Sequence, residues 1–143
     1  MSIQQLSVFL ENRAGRLYAI TRALAEEQVD LRAIHIAETV DYGVARLIVS
    51  DARRAAYALS EKNFVLSVTP VLAVAVPDRP GGLASVLAVL EEANVDLEYM
   101  YSLFGERNGR AYMILRVPEP DAVAALLTER GFAPAEPNEL GLT

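Results

Sequence analysis

Apolar positions change their spacing in a fixed order along the first part of the chain. Leu6, Val8 and Leu10 recur at every second position, as in a strand that buries one face. After the segment Asn12–Leu17 (NRAGRL), apolar residues recur at helical spacing up to Val29, namely Leu17, Ile20, Ala23 and Leu24. This pattern predicts a strand, a turn and a helix.

The next segments predict a hairpin, a second helix and a last strand. Apolar and polar residues alternate again over residues 32–39 (RAIHIAET), which predicts the first strand of the hairpin. Tyr42 and Gly43 form the expected turn, and residues 44–50 (VARLIVS) form the second strand. Asp51 is a suitable N-cap for a helix at residues 52–62, with Ala55, Leu59 and also Tyr57 expected to face the sheet. A strand at residues 64–68 completes the order βαββαβ.

The chain repeats this order after sixty-six residues. Thirteen of the forty-five residues from Leu6 to Ser50 are identical to their counterparts, and the VDL at 29–31 falls on the VDL at 95–97. The second copy predicts a strand at 71–76, a helix at 83–93, a hairpin around Asn108–Gly109 and a helix from Asp121. Pro134 cannot donate to a β-ladder, so residues 132–136 suit an edge strand or no strand.

The repeat predicts an α+β protein of two tandem ferredoxin-like βαββαβ units, with antiparallel sheets covered by helices on one face. We expect the units at residues 1–69 and 70–143, because no linker separates the copies. Pro70 interrupts the valine-rich run at residues 64–76, which therefore predicts two strands in succession.

Composition narrows the functional classes. The net charge of −6 and the pI near 4.8 argue against a nucleic-acid partner, which needs clustered Lys and Arg. The chain has no cysteine, so it has no disulfide, thiolate metal site or thiol nucleophile. His35 is the sole imidazole, and no Ser-His-Asp set or metal-ligand cluster is evident, so we expect neither an enzyme nor a cofactor.

The sequence predicts no membrane partner. Its first residues lack a basic segment followed by a long apolar one, and no apolar run approaches the ~20 residues that span a bilayer. We expect a soluble, cytoplasmic protein.

The repeated turn suggests a binding site. The first backbone N–H groups of a helix lack intrahelical acceptors and can bind a carboxylate, and Gly15 and Gly81 would allow close approach. Asn12 and Asp78 suit N-caps, and Pro80 suits a first helical turn. A capped helix start needs the same residue types without a ligand, so the turn alone leaves both interpretations open.

The strand, the turns NRAGRL and DRPGGL, the helix and the VDL at matched distance resemble the ACT domain, an amino-acid-sensing regulatory module. The resemblance covers both repeats. It implies that a free amino acid binds between the turn of one module and the start of the second strand of a neighbouring module.

The resemblance also implies the ligand contacts. Backbone groups near the turn glycines would meet the carboxylate of the ligand, and Asp30 or Asp96, which match the family's Asn at the second strand, would receive its ammonium group. The expected ligand-binding residues are Asn12, Arg13, Ala14, Gly15, Arg16, Leu17, Asp30, Asp78, Arg79, Pro80, Gly81, Gly82, Leu83 and Asp96.

Two departures refine this expectation. Serine-sensing members commonly carry an imidazole two residues before the turn Asn, whereas Leu10 and Val76 stand there, which favours a ligand with an apolar side chain. The two turns also differ in sequence, so one site can bind while the other only packs. The residues do not decide which of the two turns is the better ligand site.

Other residues carry weaker expectations. His35 should face away from the helices, because it alternates with Ile34 and Ile36. Arg13 and Arg79 can steer an anion, although exposed arginines beside a helix start are common. An aromatic and apolar set on the opposite face of the second unit predicts a cover, which we interpret as a second chain in a homodimer: Tyr99, Tyr101, Leu103, Tyr112 and Ile114.

Three functional classes follow. The first is a non-catalytic regulatory protein that senses a free amino acid between modules. The second is a regulatory or scaffolding subunit, whose partner is an enzyme of amino-acid metabolism. The third is an enzyme, against which the lack of a catalytic constellation argues.

Overall fold

The computed structural model of the protein describes residues 2–11, 13–38, 41–105 and 110–143. These residues form six strands and four α-helices, and they divide into two compact units. The first unit spans Gln4–Thr69 and includes Gly141–Thr143, and the second spans Pro70–Leu140 and includes Ile3. Both are α+β with antiparallel strand pairs, as the ferredoxin-like interpretation predicts.

The first unit follows the predicted order. Its elements are β1 (Ile3–Glu11), α1 (Arg16–Glu26), β2 (Leu31–Glu38), β3 (Tyr42–Val49), α2 (Ala52–Glu61) and the start of β4 (Leu66–Val76). β3 pairs antiparallel with both β1 and β2. On the other side of β1, the Phe9 N–H donates to the Val65 carbonyl at 2.8 Å.

The helices cover one face of this sheet. Leu6 and Val8 of β1 pack with Ile20 and Leu24 of α1 in one buried cluster. Ile34 and Ile36 pack against the same cluster, so the prediction that His35 faces away is confirmed. Alternation along the strands therefore determines which side chains enter the core.

The second helix starts as predicted but presents a different face. The Asp51 carboxylate accepts the Arg54 N–H at 3.0 Å, which confirms the N-cap. Ala55 and Leu59 are fully buried, whereas Tyr57 is 69% exposed, so its expected place against the sheet is wrong. Tyr57 is two positions from both Ala55 and Leu59, which is about 200° around an α-helix, so it lies on the opposite face.

The predicted hairpin turn at Tyr42 and Gly43 is also wrong. Both residues belong to β3, where Tyr42 lies opposite Glu11 and Gly43 lies opposite both Leu10 and Glu38. β1 and β2 extend far enough to pair with them, and these ladder contacts outweigh the local turn preference of a Tyr-Gly pair.

The second unit repeats the architecture with shorter strands. β4 continues into it and is followed by α3 (Gly82–Glu92), β5 (Tyr99–Ser102), β6 (Ala111–Arg116), α4 (Pro120–Glu129) and a 3₁₀ turn (Pro137–Leu140). β6 pairs antiparallel with β4 and β5. The predicted hairpin turn at Asn108–Gly109 lies outside the described residues. Leu72, Val74, Val86, Leu115 and Leu127 form the buried centre.

One strand prediction differs from the structure, and another is decided between its two alternatives. Residues 66–76 form one strand, β4, with Pro70 inside it, because proline fits extended backbone and its carbonyl accepts a bond from Arg116 Nη1 at 2.8 Å. Residues 132–136 form only an isolated bridge between Val74 and Pro134, the no-strand alternative for this segment.

Four of the five residues in the aromatic and apolar set on the second unit are buried in the single chain, and Tyr99 is half-buried. Tyr101, Leu103, Tyr112 and Ile114 are at most 7% exposed in the single chain. Their burial removes this face as an argument for a homodimer. Among the described residues, no helix is both long and apolar enough to cross a bilayer.

An exposed ion pair makes the stability of the second unit depend on pH. Arg130 Nη1 lies 2.6 Å from Glu92 Oε2, and the hydrogen bond and charge of Arg130 lower the pKa of Glu92. A lowered folded pKa contributes stability that is present above the ordinary carboxyl pKa of about 4.3 and lost as the pH falls through the folded value.

We therefore expect Glu92→Gln to lower the urea midpoint of unfolding at pH 7 and to lower it less at pH 3. The matched control is Glu61→Gln on α2, which removes a carboxylate that makes no ion pair among the described residues. Equal effects of Glu92→Gln at both pH values would contradict the expectation.

Candidate functional site

The turn between β1 and α1 ends in a glycine with left-handed backbone. Gly15 has φ 87° and is the N-cap of α1, with no side-chain cap bond. Its carbonyl accepts the Ala19 N–H at 2.9 Å. Glycine adopts this backbone without the steric cost that a Cβ adds, which explains its place in the motif. Asn12 lies outside the described residues.

A cavity of about 170 Å³ opens beside this turn. It lies where β1 ends, α1 begins and the paired ends of β2 and β3 meet, and it is lined by Leu10, Glu11, Arg13, Arg16, Leu17, Ile36, Glu38 and Gly43. Three of the predicted ligand-binding residues, Arg13, Arg16 and Leu17, therefore share one wall. Ala14 and Gly15 are exposed in the turn and do not line the cavity.

Arg16 is held by an aromatic ring. Its guanidinium carbon lies 4.2 Å from the centroid of the Phe64 ring, a cation–π contact within the first unit. Its Nε is buried and has no hydrogen-bond partner in the described part of the chain. Arg13, in contrast, forms an exposed pair with Glu11 at 3.0 Å. The two arginines of the motif thus have different environments.

Leu10, which the sequence indicated as a position that favours an apolar ligand, also lines the cavity. The sequence interpretation did not include four other lining residues, namely Glu11, Ile36, Glu38 and Gly43. A signal for Glu38 was present, because the alternation that directs Ile34 and Ile36 toward the helices continues to position 38. Gly43 was expected in a turn, and its contribution depends on the observed register of β3 with β2.

Asp30 does not lie near the turn of its own unit. It precedes β2, and the eleven residues of α1, which rise about 16 Å, separate the two ends. Its carboxylate is exposed and pairs with Arg32 at 2.9 Å, and its N–H donates to Ser50 Oγ at 2.8 Å. Asp30 could meet a turn only if another module supplied that turn.

The second turn has a similar backbone and a different surface. Gly81 has φ 82° and caps α3 without a side-chain bond, so the N-cap expected for Asp78 is wrong. Pro80 precedes this cap and is exposed, so it is not in the first helical turn. A Cβ on Gly82 would lie 1.9 Å from the Pro77 carbonyl oxygen. The helix therefore approaches the end of β4 too closely for any side chain at position 82.

The remaining predicted residues lie in two separate depressions of the second unit. Asp78 and Arg79 line one of about 440 Å³ that also includes Arg110 and Phe132. Asp96 lines another of about 330 Å³, with Glu119, beyond the C-terminal end of α3. Asp96 is three residues before β5 rather than at its start. Leu83 is half-buried on α3.

No metal site is apparent within the described ranges, where His, Asp and Glu side chains do not gather in threes. The chemistry that the first cavity offers is recognition: one cation on an aromatic ring, carboxylates and aliphatic walls.

Comparisons with known proteins identify the family and the fold of the chain. The family model of the ACT domain pair matches residues 1–136. The crystal structure of protein BT0572 from Bacteroides thetaiotaomicron is 38% identical with a TM-score of 0.90, over 99% of this chain and 96% of that one. No curated protein matches the sequence.

More distant structures share the fold. The ligand-free regulatory subunit of aspartate kinase from Thermus thermophilus is 14% identical with a TM-score of 0.62, over 90% of this chain and 92% of that one. The corresponding subunit from Thermus flavus is 14% identical with a TM-score of 0.56, over 88% and 90%. Because the family model matches nearly the whole length of the chain, the chain belongs to the family of ACT domain pairs.

Proposed function

We propose that this protein is a non-catalytic regulator that binds a free amino acid with an apolar side chain at interfaces between ACT modules. Membership of the family indicates amino-acid-sensing regulation. The observation that carries the proposal is the first-unit cavity, which opens beside the start of α1 and is lined by Leu10, Leu17 and Ile36 among others. The N-terminus of a helix favours a carboxylate, and aliphatic walls favour an apolar side chain.

The proposal includes a second module at the site. Asp30 is exposed and lies at the far end of α1 from the turn, so a turn from another module would complete the arrangement that the family implies. A homodimer in the cytoplasm provides such a neighbour. The signal would pass through the geometry of that dimer or through an enzyme of amino-acid metabolism.

Thermal unfolding of the purified protein with each of the twenty amino acids tests the proposal. A ligand that binds only the folded state stabilises it by about 2.7 kcal/mol at a hundredfold excess over its Kd, which raises the midpoint by a few degrees. We expect shifts with aliphatic amino acids and none with acidic ones. If no amino acid shifts the midpoint, sensing is refuted and a scaffolding role toward an enzyme takes its place.

A further inference from the structure

We infer that the first unit supplies both charged contacts to the ligand at this site, with Arg16 binding the carboxylate and Glu38 the ammonium group of a small aliphatic amino acid. The inference rests on the proposed function and goes beyond it in two respects. It replaces Asp30 with Glu38 as the ammonium acceptor, and it limits each chain to one ligand molecule.

Arg16 has the properties of a carboxylate receptor. Its Nε is buried without a hydrogen-bond partner among the described residues, and a buried donor that lacks an acceptor costs free energy. The cation–π contact with the Phe64 ring at 4.2 Å stabilises this position of the guanidinium, so less side-chain entropy is lost when an anion binds. Arg16 lines the cavity, so a carboxylate bound there would accept charge-assisted hydrogen bonds from its guanidinium group.

Glu38 supplies the opposite charge on the other wall. It is the last residue of β2, and it lines the cavity next to Ile36 and Gly43. In the described part of the chain it forms no ion pair, either with Arg16 or with another cation. Asp30, in contrast, is already paired with Arg32. Among the described lining residues, Arg16 and Glu38 are thus a cation and an anion that form no ion pair, and together they complement a zwitterion.

The size of the cavity restricts the ligand further. Its volume of about 170 Å³ is below the ~300–1,000 Å³ of common small-molecule pockets. The apolar walls are aliphatic, from Leu10, Leu17 and Ile36. An amino acid with a short aliphatic side chain fits this combination, and valine is a suitable probe.

The second unit lacks both charged residues. At the sixty-six-residue offset, Gly82 replaces Arg16 and Phe104 replaces Glu38. Gly82 leaves no room for a longer side chain, because its Cβ position is 1.9 Å from the Pro77 oxygen. The second turn therefore has a packing role, and we expect one ligand per chain.

Calorimetric titration of the full chain tests the inference, with L-valine, L-valinamide, which lacks the carboxylate, and isovalerate, which lacks the ammonium group. For the wild type we expect one valine per chain and weak binding of both analogues. Arg16→Met and Glu38→Gln should each weaken valine binding about tenfold to a hundredfold, the loss of one charged hydrogen bond. Arg16→Met should no longer distinguish valine from valinamide, and Glu38→Gln should no longer distinguish valine from isovalerate.

The controls are Arg22→Met and Glu61→Gln on the exposed faces of α1 and α2, with unchanged binding expected, and the circular dichroism of each variant reports folding. Two valines per chain, or a loss of binding in Asp30→Asn but not in Glu38→Gln, would overturn the inference and leave amino-acid sensing intact. If the wild-type protein binds none of alanine, valine, leucine and isoleucine, the inference is wrong. If, in addition, none of the twenty amino acids shifts the midpoint in the thermal screen, the proposed function is refuted too.

Discussion

Gly82→Ala should lower the free energy of unfolding of the second unit by about 3 kcal/mol, the upper end of the usual cost of overpacking. The added Cβ would lie 1.9 Å from the Pro77 carbonyl oxygen and 2.9 Å from its carbon. Both contact atoms are backbone at the end of β4, so no side chain can rotate away. Relief requires α3 to move from the strand, which disrupts the packing of Val86 and Leu90. Urea unfolding followed by circular dichroism measures the loss.

Gly15→Ala is the matched comparison at the other turn. A Cβ there meets no atom within 4 Å, so the only cost is the left-handed backbone at φ 87°. That cost is about 1 kcal/mol. If the two alanine variants were equally stable, the close approach of α3 to Pro77 would be disproved.

Leu47→Ala and Leu115→Ala should each cost about 3 kcal/mol, in the first and second unit respectively. Both leucines are fully buried at equivalent places, on β3 opposite Leu6 and on β6 opposite Leu72. Truncation removes apolar contacts from both the strands and the helices and leaves a cavity that the rigid sheet cannot fill. Hydrogen exchange of the amides in each unit assigns the loss to that unit.

Val65→Ala is the control for both core variants. Val65 is 72% exposed, so its truncation should change the free energy of unfolding by less than about 0.5 kcal/mol. A cost below about 1 kcal/mol for Leu115→Ala would mean that the core around β6 is not closely packed.

Most of the fold was predictable from periodicity because burial of one face leaves a local pattern. The alternation of Leu6 and Val8, repeated at Leu72 and Val74, predicted strands that the structure contains. Errors arose where a local preference competed with a distant contact. Gly43 belongs to a strand because β1 and β2 both pair with it, and Pro70 lies inside β4 although proline usually ends strands.

The candidate site was predictable in part. The repeated motif pointed to Arg13, Arg16 and Leu17, which line one cavity, and to Gly15, which needs positive φ. The motif gave no indication that α3 lies too close to the end of β4 for a side chain at position 82. This close contact of Gly82 with Pro77 depends on the distance between a helix and a strand end. The opposite wall, from Ile36, Glu38 and Gly43, comes from strands that only the sheet brings to the turn.

Local pattern was thus sufficient for the element types, the duplication and the turn glycines, since each depends on neighbouring residues and on which face is buried. The folded chain alone places Arg16 over Phe64 and sets Glu38 on the far wall of the same cavity. These juxtapositions join residues separated by twenty or more positions, and strand register and helix packing, rather than local preference, determine their distances.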